Sequence, residues 1–282
     1  MKDFKPMLAQ VYTDENQIDW SQPVYMQPKL DGVRCIFTKD GAFSRTGKRF
    51  MNVKHIELEL QGLFKQQPHL ILDGELYNHK LKNDFEKIIS LVRKQKPTDT
   101  DRLDAQHLVQ FHVYDYTGQK PNLLENIKYK GRQDNLTCSD IYCPSICYTD
   151  TRRVATPAMI KVLHDKWLDM GYEGSIIRLN GEYEQKRSKN LLKVKDFSDS
   201  EAKITGFVEG KGKRRGTIGK FIAVDSQGMQ FGMPVMDKFK YLQDNFKEMQ
   251  TWIGKIATFT YFEKTKRGSY RHPLFKALRN YE

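Results

Sequence analysis

Residues 27–34 read Gln27-Pro28-Lys29-Leu30-Asp31-Gly32-Val33-Arg34. A lysine sits at the edge of an apolar run, followed by a turn-forming Asp-Gly pair and an arginine. A lysine amine attacks phosphorus only when neutral, so burial or cationic neighbours must lower its pKa. Gly32 lets the backbone come close to a nucleotide. Arg34 can fork onto phosphate or sugar oxygens. Alone, the spacing is a moderate signal, and a strand-edge lysine is usually a solvated group.

Working outward, residues 24–50 read as a hairpin. The apolar run Val33–Phe37 meets the Asp40-Gly41 turn and continues into Ala42-Phe43. Residues 69–77, HLILDGELY, read as a buried strand with a turn-like Asp73-Gly74 inside it, and Phe111–Tyr116 as an aromatic-rich strand. The clearest helix covers 156–171: Thr156 caps it, Pro157 fits its first turn, Ile160, Leu163 and Trp167 share a face, and Gly171 ends it. Leu191–Phe197 alternates apolar residues with lysines, so Lys193 and Lys195 point to one face. Two ammonium groups there repel each other unless they clamp a polyphosphate. Glu75 lies on a buried strand, which is costly without a partner or a metal.

The texture changes after Phe197. The polar stretch 196–200 reads as a hinge. Beyond it, strand signals at Lys203–Val208, Lys220–Val224, Met229–Met233 and Ile256–Phe262 alternate with turns, and a helix is expected near Met236–Met249. Short strands with one helix in about 85 residues suit a small OB-type barrel.

Across its 282 residues the chain carries 47 Lys and Arg against 35 Asp and Glu, a net +12. Residues 198–282 hold 16 cations and 9 anions, a net +7. That asymmetry points to a polyanionic partner. No apolar run is long enough for a membrane span, and the N-terminus has no secretory h-region, so a soluble cytoplasmic protein is expected. Cys138, Cys143 and Cys147 lack the C-x-x-C knuckle of structural zinc, and free thiols are expected.

In order along the chain stand Lys29-x-Asp-Gly-x-Arg34, Ser44-Arg45-Thr46-Gly47, Asp73-Gly74-Glu75, Tyr114-Asp115, Glu173-Gly174 and Lys193-x-Lys195. Together they resemble the lysine nucleotidyltransferases. The tail, with Gly210-Lys-Gly-Lys213, Trp252-x-x-Gly-Lys255 and Arg271-x-Pro-x-Phe-x-x-x-Arg279, resembles the OB domain of ATP-dependent DNA ligases in their minimal two-domain form. The likeness implies an α+β protein. A nucleotidyltransferase domain of mainly antiparallel sheets with flanking helices would span 1–197, and an OB-fold β-barrel 198–282.

The resemblance also implies roles. Lys29 takes AMP from ATP. Gln27 and Pro28 flank the adenine, and Tyr114 stacks on it. Arg34 and Glu75 hold the ribose and help order the metal site, and Glu173 binds Mg²⁺ or Mn²⁺. Lys193 and Lys195 hold the α-phosphate. Arg45 meets the 5′-phosphate of nicked duplex DNA, and Arg271 and Arg279 orient the pyrophosphate. The minimal form is expected, with nothing preceding the catalytic domain and no room in the tail for a long clamp hairpin. The loop Lys211, Lys213, Arg214 and Arg215 is therefore expected to hold DNA, and the enzyme to act as a monomer. Three rivals fare less well. A capping guanylyltransferase usually ends the tail motif with Asp-Lys, whereas Asn280-Tyr281 follow Arg279 here. Common RNA ligases lack this tail. A non-catalytic nucleic-acid-binding protein has no need of Lys29, Glu75 and Glu173 together. No P-loop motif occurs.

Overall fold

The computed structural model describes residues 4–82, 84–118, 127–137, 143–194, 196, 198–265 and 268–279. The chain divides into two compact units, Met1–Val194 and Lys195–Glu282.

In chain order the first unit contains β1 (Leu8–Val11), β2 (Val24–Lys29), β3 (Val33–Thr38), β4 (Gly41–Ser44), α1 (Lys54–Glu59), α2 (Gln61–Gln66), β5 (Leu70–Tyr77), α3 (Phe85–Val92) and α4 (Asp99–Leu108). Then follow β6 (Gln110–Gly118), α5 (Tyr129–Thr137), β7 (Ile146–Tyr148), β8 (Arg152–Val154), α6 (Pro157–Asp169), β9 (Gly174–Leu179) and β10 (Arg187–Val194). They build two five-stranded sheets, ordered β1-β10-β9-β2-β8 and β4-β3-β5-β6-β7. Pairing is antiparallel except at the edges, where β1 runs parallel to β10 and β7 to β6.

The expected single hairpin over 24–50 is not what forms. β3 and β4 pair as expected, but β2 pairs with β8 and β9 in the other sheet. The reason lies in the short link Leu30-Asp31-Gly32, which carries the chain from one sheet to the other. A side chain at Gly32 would come within 2.5 Å of the Leu76 carbonyl oxygen, so only glycine lets the link pass so close to β5. The Asp73-Gly74 pair stays within β5 and shifts its register against β6, as a bulge does.

The second sheet packs Phe37, Leu72, Leu76, Phe111 and Val113 against Ile56, Leu60, Ile88 and Leu91 from the helices. The first sheet packs Met26, Ile177 and Leu192 against Ile160 and Trp167 of α6. Thr156 caps α6 through the Met159 N–H, with Pro157 in the first turn. Gly171, at φ 86°, turns the chain out of the helix.

The second unit contains β11 (Ser198–Glu209), β12 (Ile218–Val224), β13 (Gln230–Pro234), α7 (Phe239–Asp244), α8 (Phe246–Gln250), β14 (Ile256–Tyr261), β15 (Glu263–Lys264), β16 (Tyr270–Arg271) and β17 (Leu274–Leu278). Five strands form one antiparallel sheet, ordered β13-β12-β11-β14-β17, around Ile204, Phe221, Met233, Leu242 and Phe259. The edge strands β13 and β17 come close, but no ladder joins them, so the expected barrel is an open one. The hinge expected at 196–200 does not hold for Ser198–Ser200. These residues begin the central strand and pair with Tyr261, Thr260 and Phe259, where polar side chains are accommodated on the exposed end of the strand. The helix expected over Met236–Met249 is two short ones, interrupted at Asn245. Asn245 leaves helical geometry at φ −99° and ψ 10°, while its backbone N–H and its side-chain amide both donate to the Tyr241 carbonyl, at 3.0 and 2.8 Å.

Candidate active site

Lys29 ends β2 directly opposite Gly174, the first residue of β9. The Glu173 N–H donates to the Lys29 carbonyl at 3.1 Å, and the Lys29 ammonium is paired with the Glu173 carboxylate. Glu173 is placed by glycines on either side: Gly171 releases the chain from α6, and Gly174 has φ 146°. A side chain at Gly174 would meet the Val194 carbonyl oxygen at 2.5 Å. Lys193 follows on β10, opposite Ile176 of β9. Burial lowers its pKa, nearby Lys29 and Arg187 lower it further, and Glu173 opposes them. Three consecutive strands of one sheet thus bring two lysines and a glutamate together. Lys195 lies outside the described residues.

Glu75 approaches from the other sheet, on β5 opposite Arg34 of β3. Burial pushes its carboxyl up to about 8, against the pull of Lys29 and Arg34 and with Asp73 and Glu173 adding to the push. The Tyr114 hydroxyl reaches it at 3.5 Å. Arg34, expected on the ribose, is committed to Asp73 through a two-point pair at 2.9 and 2.5 Å. Tyr183 donates to the same carboxylate at 2.6 Å.

Tyr114 has the guanidiniums of Arg34 and Arg178 at 5.6 and 5.1 Å from its ring centre, within cation–π range. Gln27 is buried. Its amide N–H groups reach the Tyr114 carbonyl (3.2 Å), the Tyr129 hydroxyl (3.0 Å) and the Thr151 hydroxyl (2.8 Å). Its carbonyl accepts from Arg178 at 2.6 Å. Pro28 pairs with Ser175 across the strands.

Beneath them, Asp115 is wholly buried and accepts from Arg132 and Arg178 at 2.7 Å each. Burial alone would raise its pKa, but the two guanidiniums hold it below the usual carboxylate value. Sequence reasoning assigned no role to Asp73, Asp115, Arg132, Arg178 or Tyr183. The available signal was chemical: an Asp inside an apolar strand demands a cationic partner.

Arg45 stands exposed in the turn between Ser44 and Lys48, and lines a cavity of about 620 Å³ shared with Arg34 and Glu75. In the second unit, Lys211, Lys213 and Arg215 are exposed on a turn with Gly212 at φ 59° and Gly216 at φ 78°. Arg214 is half-buried and donates to the Asp237 carbonyl at 3.3 Å. Arg271 lies on β16, with its guanidinium 5.9 Å from the Phe262 ring, and Arg279 is paired with Glu201. Cys35, Cys143 and Cys147 are free thiols; Cys138 lies outside the described residues. No helix among those residues is long and apolar enough to cross a membrane.

The family model of the ATP dependent DNA ligase domain matches residues 6–195. A protein from Haemophilus influenzae called a DNA ligase is 25% identical over 276 residues, covering 95% of this chain and 90% of that protein. The DNA ligase of Enterobacteria phage T6 is 26% identical over 249 residues, covering 71% of this chain and 50% of that protein. Among solved structures, a minimal-scaffold Lig E DNA ligase superposes with a TM-score of 0.77 at 22% identity, covering 98% of this chain and 99% of that one. The ATP-dependent DNA ligase of bacteriophage T7 superposes at 0.58 and 17% identity, covering 99% of each chain. These two show likeness of fold.

Proposed function

The chain belongs to the ATP-dependent DNA ligase family, and from that membership we propose how its residues divide the sealing of a nick. Lys29 Nζ, once deprotonated, attacks the α-phosphorus of ATP. The bond from that phosphorus to the bridging oxygen breaks, pyrophosphate leaves, and AMP remains on Lys29 as a phosphoramidate. The 5′-phosphate of the nick then takes the AMP and frees Lys29. The 3′-hydroxyl attacks that 5′-phosphate, AMP departs, and a phosphodiester remains.

The observation that carries this assignment is the pairing of Lys29 with Glu173, with Lys193 beside them, on adjoining strands. Lys193, with Lys195 two residues on in the sequence, neutralises charge that develops on the α-phosphate. Gln27 and Pro28 lie against the adenine and Tyr114 stacks on it. Arg34 and Glu75 address the ribose, and Arg34 does so from a position fixed by Asp73. Arg45 takes the 5′-phosphate, and Arg271 and Arg279 the pyrophosphate. Residues 1–197 carry adenylation, and 198–282 form the OB-fold domain. The enzyme acts as a cytoplasmic monomer; free thiols fit a reducing compartment.

The carboxylates of Glu75 and Glu173 suit Mg²⁺ or Mn²⁺. Mg²⁺ takes one or two carboxylates together with substrate phosphate oxygens and waters. Bound there, the ion would neutralise charge on the α-phosphate.

Incubation with labelled ATP and, separately, labelled GTP, followed by denaturing gels, tests the assignment. Label from ATP is expected on the wild type and none on Lys29→Ala. AMP attached to Lys29→Ala, or label from GTP, would overturn it.

A further inference from the structure

Arg45 is one of several cations around the 620 Å³ cavity of the first unit. Lys48 lines it from the same turn, and Arg93 and Gln95 line it from the segment that follows α3. Ser44 and Thr46 add hydroxyls to the wall. Arg45, Lys48 and Arg93 are exposed, and among the described residues none of the three is ion-paired. Arg34, also on the wall, is already neutralised by Asp73. Glu75 is the one carboxyl on the wall, against four cations.

Exposed cations usually stand near acids; three without such a partner around one concavity make a field that attracts polyanions. The placement is built in. Asn52 is buried, and its amide donates at 3.1 Å both to the Leu91 carbonyl at the end of α3 and to the Asp101 carbonyl in α4. The Arg93 N–H closes the last turn of α3 on the Ile89 carbonyl at 3.0 Å. The arginine and the Arg45 turn are therefore held on one framework. Ser44 closes that turn, its N–H donating to the Lys48 carbonyl at 2.8 Å and its hydroxyl accepting from the Lys48 N–H at 3.0 Å.

We propose that Lys48 and Arg93, with Gln95, form a phosphate-binding groove on the first unit. It holds the duplex backbone of the strand that bears the 5′-phosphate, beyond the terminal phosphate assigned to Arg45. The proposal rests on the ligase assignment above. It gives the catalytic unit its own grip on DNA, independent of the basic loop in the second unit. A small anion is a poorer fit, because the cations are spread over two chain segments around an open cavity wider than one phosphate. Sequence-independent affinity of this kind comes from phosphate neutralisation and is read in its salt dependence.

The test is a salt titration of binding to nicked duplexes of unrelated sequence. The probes are the wild type, Lys48→Ala/Arg93→Ala, Arg93→Lys and, as a control, Lys166→Ala on the exposed face of α6. The double variant should lower the slope of log affinity against log salt by about 1.8, roughly 0.9 for each phosphate no longer neutralised. Arg93→Lys should keep the wild-type slope, as should Lys166→Ala. The loss should shrink when the duplex on the 5′-phosphate side is shortened to a few base pairs, because the groove then has nothing to hold. An unchanged slope in the double variant overturns the proposal. So does an equal loss in Lys166→Ala, which would mean diffuse charge. So does a loss of label from ATP that matches the loss of DNA binding, which would assign the cavity to the nucleotide. Failure of the ligase assignment shows separately, as AMP attached to Lys29→Ala.

Discussion

In the first unit, Asp115 is wholly buried and takes hydrogen bonds from Arg132 and Arg178, which are themselves buried. In the second, Lys211, Lys213 and Arg215 stand in solvent on a glycine-flanked turn. Both regions are rich in charge, and they use it oppositely. Around Lys29 the charges are fixed by packing and by one another, as a site must be if it is to meet a developing charge without reorganising. On the turn, the cations keep their hydration and freedom, which suits contact with phosphates at any sequence. Chemistry is served by charges that cannot move, and grip on a polymer by charges that can.

The contrast breaks most sharply at Asp115. Removing one member of a buried ion cluster leaves charges uncompensated and costs about 3–5 kcal/mol. Asp115→Ala should therefore lower the urea midpoint steeply and loosen Gln27 and Tyr114, whose neighbour Arg178 it holds. Equilibrium urea unfolding measures this; a loss below about 1 kcal/mol, the scale of an exposed pair, would show that the network is no more fixed than the turn.

Glu75 sharpens the contrast through pH. Its carboxyl is raised from 4.5 to about 8 in the fold, so folding favours its protonated form. Its contribution to stability is fully present below about 4.5 and is lost as pH rises through about 8. Asp225 in the second unit behaves oppositely. Burial pushes it up, but the Tyr270 hydroxyl and the N–H groups of Met229 and Gln227 hold it below its ordinary value, so its contribution is lost as pH falls. Glu75→Gln should match the wild type near pH 4.5 and become relatively more stable toward pH 8. Urea midpoints across that range, without nucleotide or metal, check it; parallel curves for the two proteins would place Glu75 among ordinary solvated carboxylates.

What was legible in the sequence follows the same division. Lys29 and Glu173 stand in short local motifs whose turn residues fix their backbone, and Lys193 in an alternating strand, so their residue types alone announce a site. The α6 cap, its first-turn proline and its terminal glycine are equally local. The partners that hold the site still are not local: Arg34 finds Asp73 39 residues away, and Arg178 finds Asp115 across 63. No spacing rule reports such pairs. The hairpin expected over 24–50 failed for a related reason. An apolar run shows that a strand forms, not which sheet receives it, and the sharp link at Gly32 sends β2 and β3 to different sheets. In the tail, the strands carry alternating patterns and were readable, whereas the break at Asn245 is a local change of backbone angles that apolar spacing does not report.

The smallest effect on chemistry, and the finest test of the contrast, belongs to the turn at Lys211–Arg215. A ligase acts at any sequence, so base readout would hinder it, and phosphate contact is what exposed cations supply. The four cations are not equivalent. Arg214 is half-buried and donates to the Asp237 carbonyl at 3.3 Å, so part of its role is to hold the turn against the segment that follows β13. Lys211, Lys213 and Arg215 have no such hydrogen bond among the described residues. Replacing these three with Ala should lower the salt slope of nick binding by about 2.7, close to 0.9 for each phosphate left unneutralised. Adding Arg214→Ala should bring the total to roughly 3–4. It should also lower the melting temperature slightly, because the hydrogen bond to Asp237 goes with it. Labelling by ATP should persist in both variants, because that step takes place without DNA. Salt titrations on duplexes of unrelated sequence decide the matter. If the triple variant keeps the wild-type slope, the turn is only a solvated surface and the second unit needs another means of holding DNA. If instead affinity depends strongly on which duplex is used, binding is not led by phosphates, and free charge and fixed charge no longer separate grip from chemistry in this enzyme.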